Sequence, residues 1–232
     1  MSARVLMLLF FLTAFTSANS QGFDFGLQSG IGSYSMKGLK NINQSLKEGL
    51  PFDSKLADNF PAYFYYRPSM IIRYTNFSLG VIYSFQSTGS RVSAKDYSAE
   101  YRFDMKVKSD SPAIYFDIRI KDRGKFTLNF YSIIGPAFSN LEIKEYFKVA
   151  DTVLSNSNLK LKALNYCFEP GINLHLPVKR ISFELSLGYL IGFGDEAFYK
   201  GNDKNNMLID PKNQDTVRPD WNGIRLGISL FL

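Results

Sequence analysis

Apolar and polar residues alternate with a period of two through most of the chain, the pattern of strands that keep one apolar face. In 22–34, Phe23, Phe25, Leu27 and Ile31 share one face, and Asp24, Gly26, Gln28, Gly30 and Gly32 share the other. In 62–74, Phe64, Tyr66, Met70, Ile72 and Tyr74 oppose Tyr65, Arg67, Ser69 and Arg73. After Thr75-Asn76, Phe77, Leu79, Val81, Tyr83 and Phe85 oppose Ser78, Gly80, Ser84 and Gln86. The same alternation recurs over 114–121, 126–130, 161–176, 181–191 and 224–232.

The connections alternate too. Short ones fall at 75–76, 122–125 and 177–179; long ones span 35–61, 87–111, 139–160 and 195–220. This spacing predicts about eight antiparallel strands with both ends of the chain on one side. Residues 98–107 also alternate (Tyr101, Phe103, Met105 and Val107 against Glu100, Arg102, Asp104 and Lys106) and read as an external extension of a hairpin. Counting further strands gives ten, the alternative. Pro68, Pro136 and Pro170 lie inside predicted strands, where each removes a ladder donor and predicts a bulge or a strand end. In the first long connection the period changes. Met36, Leu39, Ile42, Leu46 and Leu50 recur every three or four residues, predicting a short amphipathic helix over about 35–49 that stops near Gly49 and Pro51.

The side chains on each face decide the surroundings. One face carries nearly all the Phe, Leu and Ile, whereas the other mixes Gly and Ser with Arg, Glu and Asp. An interior of about eight strands has room only for side chains, so the small and paired residues suit the inside and the large apolar ones suit lipid. The expected fold is therefore all-β: a closed, antiparallel, up-and-down transmembrane β-barrel of eight strands. No stretch after Phe15 has the ~18 consecutive apolar residues a membrane helix needs. An aromatic content of 16% fits strands and membrane interfaces.

Residues 1–20 differ from the rest. Arg4 precedes an apolar run at 5–15, and Ala18 and Ser20 stand where a signal peptidase reads, predicting cleavage between Ser20 and Gln21 and a barrel over 21–232. No Cys is near that point, so a lipid anchor is not expected. Without Arg4 the balance is 26 basic to 21 acidic residues, of mixed sign along the chain, which leaves no nucleic-acid footprint. The single Cys167 has no disulfide partner, and one Cys with one His makes no zinc site. No cofactor is expected.

The final segment, 225–232, resembles the terminal signal read by the outer-membrane assembly machinery. Arg225 fills its polar place, Gly227 follows two residues later, and Leu230 and Leu232 are its alternating hydrophobic pair. Phe231 lies on the opposite face, and the chain ends in Leu where many members end in Phe. With the export signal and the alternating body, the chain resembles the outer-membrane β-barrel domain family, similar to the small OmpA/OmpX-type bacterial barrels. The resemblance implies a bacterial outer-membrane location, contact with lipid and lipopolysaccharide, and structural, adhesive or resistance roles. A periplasmic peptidoglycan-binding domain is not expected.

The inward positions carry the candidate chemistry. Arg67, Asp117, Arg119, Glu169, Glu184 and Arg225, with Asp24 and Arg73, predict a luminal charge network, since buried charges persist only when paired. Arg67, Arg119 and Arg225 are expected near mid-height, with Glu169 and Asp117 as partners. The resulting reading is a plugged barrel with a structural or surface-interaction role. A narrow porin is one alternative and a subunit of an envelope complex another. A lipid-A-modifying enzyme would need a catalytic His near the outer leaflet, and His175 stands beside a predicted periplasmic turn instead. No catalytic residue is therefore assigned. The first-loop helix either caps the mouth or lies in the outer leaflet with Lys37, Lys40 and Lys47 near phosphates; a local partner favours the cap. Asp203, Asp210 and Asp215 match no calcium loop and read as solvated. The polar, aromatic outer loops suit an unidentified envelope or surface protein.

Overall fold

The computed structural model describes residues 22–50, 54–150, 152–178 and 181–232. The expected signal peptide and its cleavage site lie outside these residues. Eight long strands carry the fold: β1 (Phe23–Tyr34), β3 (Tyr63–Arg73), β4 (Phe77–Lys95), β5 (Ala99–Asp122), β6 (Thr127–Val149), β7 (Thr152–Val178), β8 (Ile181–Phe193) and β10 (Gly223–Phe231). Each is antiparallel to two others, in the order β1, β3, β4, β5, β6, β7, β8, β10 and back to β1. The result is a ring of eight strands. Two short strands, β2 (Lys55–Asn59) and β9 (Tyr199–Lys200), lie off the ring against β4 and β7. Neither adds a ninth or tenth member.

Inside and outside follow the two-residue period. Leu27, Ile31, Tyr66, Leu79, Val81, Ile134, Leu187 and Leu226 face out and are exposed, while the chain neighbours Gln28, Arg67, Ser78 and Arg225 face in and are buried. One end of the ring holds the short connections at 74–76 and 123–126 and the paired ends of β1 and β10. The opposite end is taller. β5, β6 and β7 run for 24, 23 and 27 residues, against 12 for β1 and 13 for β8. A membrane-crossing strand needs only about 9–11.

The expected loops at 87–111 and 139–160 are therefore strand. β4 and β5 stay paired out to Lys95 and Glu100, and β6 and β7 out to Val149 and Thr152. The reason is local: Met105, Val107, Leu141, Ile143 and Leu161 continue the inward apolar positions, so the ladder keeps its reward beyond the ring. Residues 98–107 belong to β5.

The prolines also behave differently from expectation. Pro68 and Pro170 pair in register with Leu27 and Ser132, and Pro136 pairs with Tyr166. On their other sides the pairing lapses, then resumes with unchanged register. A missing donor opens one side of the ladder but adds no residue, so no bulge forms. The shifts occur instead at Leu56/Asp58, Arg119/Lys121 and Phe147/Lys148.

A helix, α1 (Lys37–Gly49), crosses the tall end. It begins at Met36, whose left-handed backbone (φ 47°) is held by its amide bonding the Asp220 carbonyl at 3.0 Å and by complete burial. Met36, Leu39 and Ile42 turn into an apolar core with Met105, Leu141, Leu161, Phe198, Val217 and Trp221. The helix caps the ring with its apolar stripe inward. Among the described residues no helix is long and apolar enough to cross a membrane.

Candidate functional site

The interior divides into layers. Around mid-height, Glu169 of β7 is fully buried and bound by two arginines. Arg67 of β3 donates from Nη2 to Oε2 at 2.7 Å and from Nη1 to Oε1 at 3.4 Å. Arg225 of β10 donates from Nη1 to Oε2 at 2.7 Å. The Tyr131 hydroxyl completes the carboxylate with a 2.9 Å bond to Oε1. Arg67 spends its other donors on Ser84 Oγ and Gln28 Oε1, both at 2.9 Å, and Gln28 passes a bond to Ser186 Oγ at 2.6 Å.

Two guanidiniums face one carboxylate, so the layer carries an excess positive charge. The Tyr65 ring supplies part of the compensation, with the Arg67 and Arg225 carbons 5.1 and 5.0 Å from its centroid. Inward glycines make room for the rings. A Cβ at Gly227 would strike the Tyr65 hydroxyl, and one at Gly188 would strike the Tyr131 hydroxyl.

A second cluster lies toward the short-turn end. Arg73 bonds Asp24 through Nε and Glu184 Oε1 through Nη2 at 2.9 Å, and His175 Nδ1 lies 3.2 Å from the same Glu184 oxygen. Asp117 is buried and accepts from the Tyr115 hydroxyl at 2.7 Å, which in turn accepts from Asn173 Nδ2 at 2.8 Å. Between this cluster and the Glu169 layer is a void of about 20 Å³. That holds about one water. A further void of about 40 Å³ lies beside His175.

Of the six residues expected to form one network, Arg67, Glu169 and Arg225 meet directly. Glu184 belongs to the second cluster, and Asp117 partners a tyrosine rather than an arginine. Arg119 departs furthest. It sits at the short-turn rim, donating from Nη1 to Asp122 Oδ2 at 3.0 Å. It keeps the inward row, opposite Asn129 and beside the void at His175, but that row reaches the rim here, far from mid-height, and the register shift follows it. Arg73, on the correct face but outside the expected mid-height set, takes the central place in the second cluster.

Above the Glu169 layer the interior turns apolar. Trp221 is buried against the Tyr34 ring, edge to face at 4.9 Å, and its indole N–H bonds Ser139 Oγ at 2.9 Å. Cys167 is buried here, 3.2 Å from Ser111 Oγ. Beyond the ring, one side of the projecting sheet is covered by β2, which pairs Ser90–Ser93. On the other side, residues 152–160 of β7 pair β6 only; β9 meets β7 at 161–162 and β8 joins from Tyr166. This is a free sheet edge nine residues long among the described residues. It contains no proline, and Val153 and Leu154 are exposed on it.

Of the residues expected as an assembly signal, Arg225 and Gly227 face inward in the Glu169 layer, and Leu230 and Leu232 face outward, exposed. Phe231 is buried, with the Arg73 guanidinium 4.8 Å from its ring centre. Asp210, expected to be solvated, is buried: its Oδ1 accepts the Lys212 amide at 3.0 Å, folding the last loop back on itself. Among the described residues no group of three His, Cys, Asp or Glu is placed to hold a metal ion.

No family model and no curated protein matches the sequence. Among solved structures, the chain is similar to Ail, the attachment invasion locus protein of Yersinia pestis. One Ail structure is 11% identical, covers 91% of this chain and 95% of its own, and superposes with a TM-score of 0.37. A second, of Ail in complex with the heparin analogue sucrose octasulfate, is 11% identical, covers 90% and 96%, and has a TM-score of 0.40.

Proposed function

We propose that this chain is an integral outer-membrane β-barrel whose lumen is plugged by side chains and whose projecting sheet serves surface interaction. The observation that carries the reading is the ring's inverted polarity. Large apolar side chains are exposed on the outer face of all eight strands, and arginine and glutamate are paired within. In water such a belt would be a severe aggregation liability. In a bilayer it is the required surface, and ring closure leaves no unpaired edge in hydrocarbon. The short-turn end faces the periplasm and the tall end faces outward, as membrane barrels are built. Residues 1–20 direct export and are removed before Gln21, and 225–232 present the assembly signal.

The plug rests on the charge-paired layer and on voids of only about 20 and 40 Å³ below it. The surface role rests on the free β7 edge, which offers main-chain donors and acceptors to an extended partner strand. Reconstitution into vesicles of phospholipid and lipopolysaccharide tests the first part. The folded protein is expected to remain with the bilayer after carbonate washing and to give no steady openings in planar membranes. A protein soluble without detergent, or steady large conductance, overturns it. Sidedness is read on intact cells: Leu154→Cys should react with an impermeant maleimide and Asp122→Cys should not.

A further inference from the structure

On the outward face of the projecting sheet, the side chains change abruptly from apolar to basic. In the last row of the apolar belt, Phe85 of β4, Phe138 of β6 and Leu164 of β7 follow one another across the strands, and all three are exposed. One row further out, Lys108 of β5 pairs with Asn140 of β6, which pairs with Lys162 of β7. In the row beyond that, Lys106 pairs with Glu142, which pairs with Lys160. Two lysine pairs therefore flank β6, one on β5 and one on β7. Within a pair the residues are about 7 Å apart along the strand, and the pairs are separated by two strand spacings, about 10 Å. Both ammonium groups of a pair can reach one anion.

These charges are available. Lys106, Lys108 and Lys160 are exposed and have no ion pair or hydrogen bond among the described residues. Lys162 bonds a neutral acceptor, Asn202 Oδ1 at 2.7 Å, and keeps its charge. The nearby carboxylates are already held: Glu142 by Lys144 at 3.3 Å and Asn158 at 3.2 Å, and Glu196 by Lys204 at 2.8 Å. Within these rows only Asp110, in register with Phe85 and Phe138, stands against the four lysines without a counter-ion. The charge is also confined to one side, because β1, β3, β8 and β10 contain no lysine. A general attraction to headgroups would spread cations around the ring. Two pairs on one side suit one ligand with two anionic groups. Phosphate matches the lysine ammonium, a point charge that it can meet from any direction. The patch continues directly into Phe85, Phe138 and Leu164, so the ligand that covers both is a lipid rather than a soluble polyanion.

We propose that this face binds one doubly phosphorylated lipid of the outer leaflet, of the lipid A type. One phosphate lies between Lys106 and Lys108 and the other between Lys160 and Lys162. The body joining them crosses β6 at Asn140, and the acyl chains run down over Phe85, Phe138 and Leu164. The choice of an outer-leaflet lipid rests on the outer-membrane reading; the spacing of the lysine pairs does not.

The test is native mass spectrometry of the purified protein in a neutral detergent, titrated with diphosphoryl lipid A, monophosphoryl lipid A, cardiolipin and dextran sulfate. One diphosphoryl lipid A per chain is expected to bind, about tenfold more tightly than the monophosphoryl form, which leaves one lysine pair empty. Cardiolipin, whose two phosphates are joined by a single glycerol and cannot span two strands, should bind more weakly as well. Lys106→Gln with Lys108→Gln should bring the diphosphoryl form down to the affinity of the monophosphoryl one, and Lys160→Gln with Lys162→Gln should do the same. Lys37→Gln with Lys47→Gln, exposed on α1, should change nothing. The proposal is overturned by equal affinity for the two lipid A forms, by cardiolipin or dextran sulfate binding as tightly as diphosphoryl lipid A, or by both strand variants losing no more than the α1 variant. Bilayer retention is measured separately. A protein that stays with the bilayer yet shows no preference for two phosphates loses this inference and keeps the membrane reading.

Discussion

Glu169, within the ring, and Leu141, in the hairpins above it, are hidden equally well, yet they depend on their neighbours in opposite ways. Glu169 is held by two arginines, a tyrosine and the tyrosine ring between those arginines. Leu141 lies in an apolar cluster with Met105, Ile143, Leu161 and Trp221, under the cap of α1. The lower interior is directional: each group is held by particular partners at particular angles, and removing one strands a charge. The upper interior is volumetric, and what it requires is that space be filled. The difference follows from the surroundings. On the proposed reading that its apolar belt faces lipid, the lower ring gains little by hiding apolar atoms. The upper hairpins stand beyond the belt, where burying Leu141 from water is again rewarded.

The comparison can be broken most directly at its polar end. Glu169→Gln keeps the shape and removes the charge, leaving Arg67 and Arg225 without a counter-ion. It is expected to lower unfolding stability by about 3–5 kcal/mol, read from urea titration of the single tryptophan's fluorescence in vesicles. Leu141→Ala should cost somewhat less, about 3 kcal/mol, through lost transfer energy and the residual cavity. Leu141→Met conserves volume and should cost about 1 kcal/mol. If Glu169→Gln proves as mild as Leu141→Met, the directional description of the lower layer fails.

The smallest effect sharpens the contrast with the exposed loop. Partial burial works to raise the Glu196 carboxyl, but the hydrogen bond from Lys204, the Leu164 amide and the nearby ammonium charges outweigh it and hold the group below its ordinary value of 4.5. A depressed folded value means stabilisation that is present above the unfolded value and fades as pH falls through the folded one. Glu196→Gln should therefore lower stability slightly at neutral pH, match the unsubstituted protein in acid, and so remove a shallow acid-side slope, measured by the same fluorescence titration between pH 6 and pH 3.

Much of this architecture was legible in the alternation. Arg67, Glu169 and Arg225 fall on inward positions by counting in twos, and the three-and-four spacing of Met36, Leu39 and Ile42 marks the cap. Counting gives a residue's face but not its height: Arg119 keeps the inward row opposite Asn129, yet it lies at the rim beside Asp122 rather than at mid-height. Counting also misjudges prolines, because a lost donor interrupts a ladder without changing its register. The alternation of 98–107 marked the extension that β4 and β5 form, whereas the hairpin beyond Ser139 was hidden because its polar residues read as loop although the inward positions continue.

The ring closes where β1 meets β10, the two strands furthest apart in the chain. Pairings between distant segments form slowly, because a long loop must be closed before any contact rewards it. Until that seam is zipped, Glu169 lacks Arg225, Tyr65 has only one of its two flanking cations, and Phe231 has not reached Arg73. An unfinished cylinder is thus electrically incomplete as well as open, and its final strand delivers both remedies in one step.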